Sequence, residues 1–382
     1  MALGPLALDM YLPALPMLEV EYAASTARVQ HTVSAYLFGM AIGQLAMGPL
    51  SDRFGRKPPL LGGLSLFLVA SVGCALATSI GSFALLRFVQ ALGGSSIMVV
   101  VRAVIRDRFD AIQSARVLSL MMLVMGAAPI LAPLAGGWLL VAASWHWIFW
   151  LLAAYAVFCI ATAFLFLDES HPPHARSGSI GRALAGMLPL TQHRLFVGPA
   201  LVFMSSFGSF FAYLAAAPFA FIQYYGVPAE RFGLYFGANA LGFILISQVN
   251  RRLVTGRGPR KVLGWGVSLL AAAAALLLVS ALTGLGGFTL VFVLLFFVVA
   301  SLGLIASNVS AVAMAPFGDR AGAAASLLGF SQALTGVVAS AAVGWIPGQG
   351  AIPMATVIAV CAATALASYL LLVRRPAPSA DA

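Results

Sequence analysis

Charge is what this 382-residue chain lacks. Only 8% of its residues are Asp, Glu, Lys or Arg, while 62% are hydrophobic; an ordinary soluble domain carries about 25% charged residues. A soluble globule needs polar groups to cover its surface, so a soluble enzyme, a nucleic-acid binder and a secreted disulfide scaffold are excluded. Cysteine is sparse too. Cys74, Cys159 and Cys361 each fall inside an apolar run, where a lone cysteine serves as a small hydrophobe, and neither a disulfide nor a metal site is expected. Long polar stretches are missing except at 168–192. Such a chain is a polytopic membrane protein.

What is present is apolar runs of spanning length. A helix needs about 20 apolar residues to cross the hydrocarbon core. Charged or turn-rich stretches divide the chain into twelve runs, near 1–16, 30–51, 59–79, 82–105, 115–140, 144–167, 193–222, 231–250, 262–283, 286–312, 321–344 and 351–373. They are too long and too uniformly apolar for the ~10-residue alternating strands of a membrane β-barrel. The first run is short and interrupted by Pro5, Pro13 and Pro16. It reaches roughly 24 Å as a helix, so its span is expected to start about ten residues upstream of Met1. No basic stretch of a cleavable signal peptide precedes it.

The basic residues sort by loop. One set of loops holds Arg53, Arg56, Lys57, Arg102, Arg106, Arg108, Arg116, Arg176, Arg182, Arg194, Arg251, Arg252, Arg257, Arg260, Lys261, Arg320, Arg374 and Arg375, whereas the opposite set holds only Arg28 and Arg231. Positive loops face the cytoplasm, which places both termini and the 168–192 connection there, as in a bacterial-type inner membrane. The formal charge of +10 is then a topology signal and a match to anionic lipid. The connection divides the chain into a six-span bundle at 1–167, a linker at 168–192, a second six-span bundle at 193–375 and a tail at 376–382. Asp168, Glu169, His171 and His174 could be drawn as a metal cluster, but Pro172 and Pro173 in a polar stretch fit a solvated linker better.

The loop between the second and third spans reads Gly48-x-Leu50-Ser51-Asp52-Arg53-x-Gly55-Arg56-Lys57. Gly55 permits a tight turn, Asp52 ends one helix, and the three cations hold the loop to the membrane face. In the fourth span, Arg87-Phe88-Val89-Gln90-Ala91-Leu92-Gly93-Gly94 buries an arginine, which costs at least ~2.5–3.5 kcal/mol unless it is paired or wet. Asp9, in Leu8-Asp9-Met10-Tyr11-Leu12-Pro13-Ala14-Leu15-Pro16, is the carboxylate deep within a span, where proton binding answers to whatever lies beside it. Pro133, Gly136 and Gly137 in Ala132-Pro133-Leu134-Ala135-Gly136-Gly137 supply a kink and a small-residue face to the fifth span. The first and seventh spans carry related proline-broken strings, YLPALP and YLAAAPFA, as in transporters built from two related bundles.

The 48–57 loop resembles the complete signature of the major facilitator superfamily. The resemblance implies an all-α, twelve-span fold of two six-helix pseudo-repeat bundles, the first span truncated. It also implies a loop that latches one state of alternating access, with Arg56 and Asp107 as matching partners at the inner end of the fourth span. The Arg87–Gly94 string nearly meets the family's fourth-span pattern. The 132–137 string resembles the exporters' G-P-x-x-G-G with Ala132 in place of the first glycine. The Asp9 string, Ser144–Trp150, Gly233–Asn239 and Ala306–Val312 are similar to the bicyclomycin/chloramphenicol-resistance (Bcr/CflA) branch, in whose members a first-span acid couples proton to drug.

Helical spacing puts Arg87, Gln90, Gly94 and Met98 on one stripe. Tyr36, Phe211, Tyr213, Asn239, Asn308 and Gln332 are aromatic or amide groups within spans, which either bond neighbouring helices or line a cavity. The expected function is drug:proton antiport, with Asp9 and Arg87 coupling the proton, Arg87 stabilising the charged form of Asp9, and the proton motive force in place of any cofactor. No enzyme activity and no nucleic-acid partner are expected; a drug, protons and the bilayer are the partners of a monomer. A proton-coupled exporter of an amino acid or a sugar is the alternative.

Overall fold

The computed structural model describes residues 2–171, 188–317 and 321–374. Among them there are thirteen α-helices and no strand, as a lipid-embedded backbone requires when it must satisfy its own hydrogen bonds. The first span is two short helices, α1 (Leu3–Asp9) and α2 (Leu15–Glu21), joined by a 3-10 turn at Leu12–Ala14. Pro13 and Pro16 stand at the starts of the turn and of α2, where the missing amide hydrogen is harmless. The other spans are α3 (Thr26–Phe54), α4 (Lys57–Ala75), α5 (Ile80–Arg108), α6 (Ala111–Ala142), α7 (His146–Phe166), α8 (Arg194–Pro218), α9 (Ala229–Arg257), α10 (Pro259–Thr283), α11 (Gly287–Met314), α12 (Ala321–Trp345) and α13 (Ile352–Ser368). Eleven helices among the described residues are long and apolar enough to cross a membrane, and the broken first span makes the twelfth crossing.

The helices overrun several expected runs. The first span extends to Glu21 rather than Pro16, and α3, α5 and α6 begin and end about a turn beyond their apolar stretches. Polar residues end the hydrophobic signal at the interface but not the helix. Asp110 caps α6 by accepting the Gln113 amide at 2.8 Å, and Ser79 caps α5 through Ser82, as side-chain acceptors do at helix starts. Proline breaks the seventh span as it does the first: Pro218 ends α8, and a π-helical turn, Phe219–Tyr224, follows.

Small residues set the packing. A Cβ on Gly39 or Gly43 of α3 would collide with Phe88 or Ser95 of α5, and one on Gly63 of α4 with Ser96. Two seams join the halves, α3 against α12 and α6 against α9. Away from the arginine-rich loops both seams are tight. An added Cβ on Gly137 would lie 2.6 Å from the Ala229 carbonyl oxygen, and one on Gly344 would lie 3.1 Å from the Ala27 Cα. Towards the arginine-rich loops both widen: from Gly126 the nearest atom, Ile244 Cδ1, is 3.9 Å away, and from Gly329 it is Gln44 Oε1 at 3.8 Å. The molecule is therefore closed at one face and open at the arginine-rich face.

Candidate functional site

The opening is a cavity of about 480 Å³ between α3 and α5 on one side and α12 on the other, lined by Gln44, Asp52, Met98, Arg102, Gly329 and Gln332 among others. A second cavity of about 730 Å³, lined by Asp52, Arg102, Arg106 and Ser326, adjoins it at the mouth. Met98 and Gln332 are among the residues that line the first cavity.

The closed face is held by polar contacts across the halves. Glu19 accepts hydrogen bonds from Thr26 and from Gln223, each 2.6 Å, the latter across the seam. Ser34 of α3 and Ser340 of α12 share a bond of 2.7 Å. Glu21 accepts from the Trp145 indole and lies 3.5 Å from His146, which ties the end of the first span to the sixth.

Asp9 is 5% exposed and Arg87 fully buried, yet they form no ion pair. The guanidinium instead lies 4.0 Å from the ring centroid of Tyr11 and 4.2 Å from that of Tyr36, with Phe149 at 5.6 Å. Its Nη1 donates to Gln90 Oε1, and Gln90 donates to Ser71 of α4 at 2.7 Å. Nε and Nη2 have no hydrogen-bond partner among the described residues. Ring faces carry a negative quadrupole and attract a cation most strongly where water is absent, so an aromatic cage takes the place of the expected carboxylate. Tyr36 lies under the guanidinium, and its hydroxyl donates to the Gly4 carbonyl of the first span at 3.1 Å.

The remaining expected cavity residues divide. Tyr213 and Asn239 line an apolar cavity of about 130 Å³ between α6, α8, α9 and α11, and Asn239 Nδ2 donates to the Tyr213 hydroxyl at 2.9 Å. Phe211 is packed against Gly336 of α12. Gln90 and Asn308 are buried and bonded to neighbouring side chains. Gln90 serves Arg87 and Ser71, while Asn308 donates to Asn250 Oδ1 and the Leu304 carbonyl, each 2.7 Å, and so fastens α11 to α9. In a span an amide that can reach a neighbour's polar group does so.

The 48–57 loop is an ordered charge cluster. Gly55 adopts φ 94°, a backbone conformation open to glycine. Arg56 is 2% exposed and bridges Asp52 at 2.5 Å and Asp107 at 2.8 Å. Burial alone would weaken its charge, but the hydrogen bonds and charges of Asp107 and Asp52 prevail and raise its pKa above the ordinary arginine value. Lys57 donates to the Phe164 carbonyl at 2.9 Å, and Arg53 lies over Phe54. Glu169, read from sequence as part of a solvated linker, accepts the backbone amides of Arg56 and Lys57 at 2.8 and 3.1 Å. Asp168 lies 3.9 Å from Arg108. The first residues of 168–192 therefore belong to the latch; His174, Arg176 and Arg182 lie outside the described residues. Asp52 also faces the open cavity opposite Ser326 of α12, and no bond joins them in this state.

In the fifth span, Gly136 lets α6 meet the Met10 carbonyl, where a Cβ would collide, and Leu134 backs onto Gly233 of α9. Pro133 lies inside α6 at this contact. The 133–137 stretch thus packs against both the first and the eighth spans.

Residues 1–340 match the sequence profile of the Major Facilitator Superfamily. The chain is 34% identical over 363 residues to an uncharacterized MFS-type transporter, YdgK, of Bacillus subtilis, covering 94% of this chain and 90% of that one. It is 31% identical over 374 residues to a bicyclomycin resistance protein homolog of Haemophilus influenzae, covering 98% and 94%. Among solved structures, the inward-open conformation of the xylose transporter XylE from E. coli superposes with a TM-score of 0.74 at 15% identity, over 100% of this chain and 96% of that one; at that identity the likeness concerns the fold.

Proposed function

The chain belongs to the Major Facilitator Superfamily, and we propose that it acts there as a proton-coupled exporter of small, mostly apolar compounds of the bicyclomycin or chloramphenicol kind. A transporter rather than an enzyme follows from the family, and a relative named for bicyclomycin resistance supports efflux. The observation that supports proton coupling is Asp9: a buried carboxylate of the first span with no ion-pair partner among the described residues, next to the close contact of the Met10 carbonyl with Gly136 of α6.

In this reading the arginine-rich face is cytoplasmic, in a bacterial-type inner membrane. The open cavity loads compound from inside while Asp9 is ionised. When the halves rock, protonation of Asp9 from outside accompanies release. Arg87 in its ring cage keeps a fixed positive potential near the site, and the 48–57 loop closes against α12 in the outward-facing state. One charge moving inward across ~100 mV yields ~2.3 kcal/mol and one pH unit adds ~1.4, enough for a gradient of roughly 500-fold of a neutral compound. The test is accumulation of labelled chloramphenicol in everted vesicles. An imposed acid interior should drive uptake that collapses with a protonophore; uptake indifferent to the gradient would refute proton coupling, and gradient-driven uptake of amino acids or sugars in place of drugs would point to the metabolite exporter.

A further inference from the structure

Arg102 lines both cavities of the open face, and Arg106 lines the outer one. In the sequence both count as loop cations that set topology. The helix α5 runs on to Arg108, so they stand one turn apart on one of its faces. Like charges at that spacing repel each other. Both are exposed, and neither forms an ion pair or a hydrogen bond among the described residues. Asp52, the carboxylate that lines both cavities, is already bridged by Arg56. Gln44 of α3 and Gln332 of α12 line the inner cavity of about 480 Å³ with Arg102. Both are partly accessible and without a hydrogen-bond partner among the described residues. An arginine offers donors only, and an amide offers donors as well as an acceptor. These donors stand beside an apolar wall that includes Met98, Val99 and Phe330.

We propose that this cavity prefers, among mostly apolar compounds, those with an anionic head: a carboxylate on an aromatic or aliphatic body, the head meeting Arg102 and the body lying against Met98 and Phe330. Arg106, one turn nearer the mouth, draws the anion in, and Arg102 holds it. This deepens the exporter reading and rests on it. A membrane potential that is negative inside drives an anion outward, so export of such a compound draws on the potential twice, once for the entering proton and once for the leaving anion.

The test uses the full chain in nanodiscs of phosphatidylcholine and three probes with one apolar body: biphenyl-4-carboxylate, biphenyl-4-carboxamide and biphenyl-4-methylammonium. Binding is read by titration calorimetry against empty discs. The carboxylate should bind the wild type about 10-fold more tightly than the carboxamide, the usual worth of hydrogen bonds to a charged group, and the ammonium most weakly. High salt should narrow the preference, because the mouth is open to solvent. Arg102→Gln should bring the carboxylate down to the carboxamide's affinity and leave the carboxamide unchanged. Equal affinities in the wild type, no binding of any probe, or a carboxylate preference kept by Arg102→Gln would overturn the proposal. Retention of phosphatidylglycerol by the detergent-solubilised wild type and its loss in Arg102→Gln, with no carboxylate preference, would give the site to a lipid head and overturn it too. The wild-type comparison decides even where the variant does not fold. Because binding needs no gradient, carboxylate preference without proton-driven uptake of chloramphenicol would refute the exporter reading and leave this site standing, and proton-driven uptake without that preference would do the opposite.

Discussion

Glu19, at the end of the first span, accepts a hydrogen bond of 2.6 Å from Gln223, at the end of the seventh. It joins two proline-broken spans, one from each half, at the closed face. Opening that face requires breaking it. Hydrogen bonds to a charged group are worth about 1.5–3 kcal/mol net, so Gln223→Ala should shift the population towards the outward-open state about tenfold or more. A cysteine placed at Gln30, which lines the cavity behind this contact, should react with a membrane-impermeant maleimide correspondingly faster. An unchanged rate would remove Gln223 from the gate.

Arg87 should not tolerate lysine. The guanidinium is planar and lies over two rings, at 4.0 and 4.2 Å, a geometry an ammonium does not reproduce. Arg87→Lys is expected to abolish transport although the charge is kept. Tyr11→Leu, which removes one ring face, should cost about 0.5–2 kcal/mol and lower the thermal unfolding midpoint by a few degrees, whereas Tyr11→Phe keeps most of the stability. Full transport by Arg87→Lys would show that charge alone matters.

Glu169 caps the helix that follows the latch loop by accepting two backbone amides from a distant part of the chain. Loss of such a cap costs about 1 kcal/mol. Glu169→Ala should therefore speed tryptic cleavage at Arg53–Lys57 about fivefold in open vesicles. Asp107→Asn, which weakens one of the two bridges to Arg56, should do the same and slow transport. Unchanged cleavage in both would mean that Asp52 alone holds the loop.

Gly136→Ala should be far more damaging than Gly126→Ala on the same helix. The first places a methyl against the Met10 carbonyl next to Asp9; the second finds its nearest atom at 3.9 Å. Overpacking of this kind costs typically about 1–3 kcal/mol, so Gly136→Ala should lose transport and stability, and Gly126→Ala should keep both. Equal behaviour would mean that α1 and α6 need not meet this closely.

What could be read in the sequence was whatever declares itself locally. Asp9 and Arg87 stood out because ionisable groups inside apolar runs are rare, and the 48–57 loop because its residues are consecutive. The number of crossings followed from composition, and the side of the cations from alternation. What escaped depends on pairing at a distance. Glu169 reaches Arg56 across 113 positions to bind a backbone amide, which no side-chain pattern records. The cage around Arg87 draws Tyr11, Tyr36 and Phe149 from three spans, and each alone is an ordinary aromatic. Asn239 and Asn308 look alike in sequence. Only packing reveals that one stands in a cavity wall and the other bonds a neighbouring helix. That Arg87 and Asp9 form no ion pair has the same origin, since the guanidinium is held by those rings and by Gln90.

The central claim is that Asp9 carries the exchanged proton, and the most direct measurement is proton release from energised everted vesicles on adding bicyclomycin, chloramphenicol or a lipophilic cation. The chain and its Asp9→Asn variant would be compared at equal amounts in the membrane. Release on adding at least one compound, absent in the variant while that compound still binds, is the predicted result. Undiminished release from Asp9→Asn would contradict it and move the proton to another group.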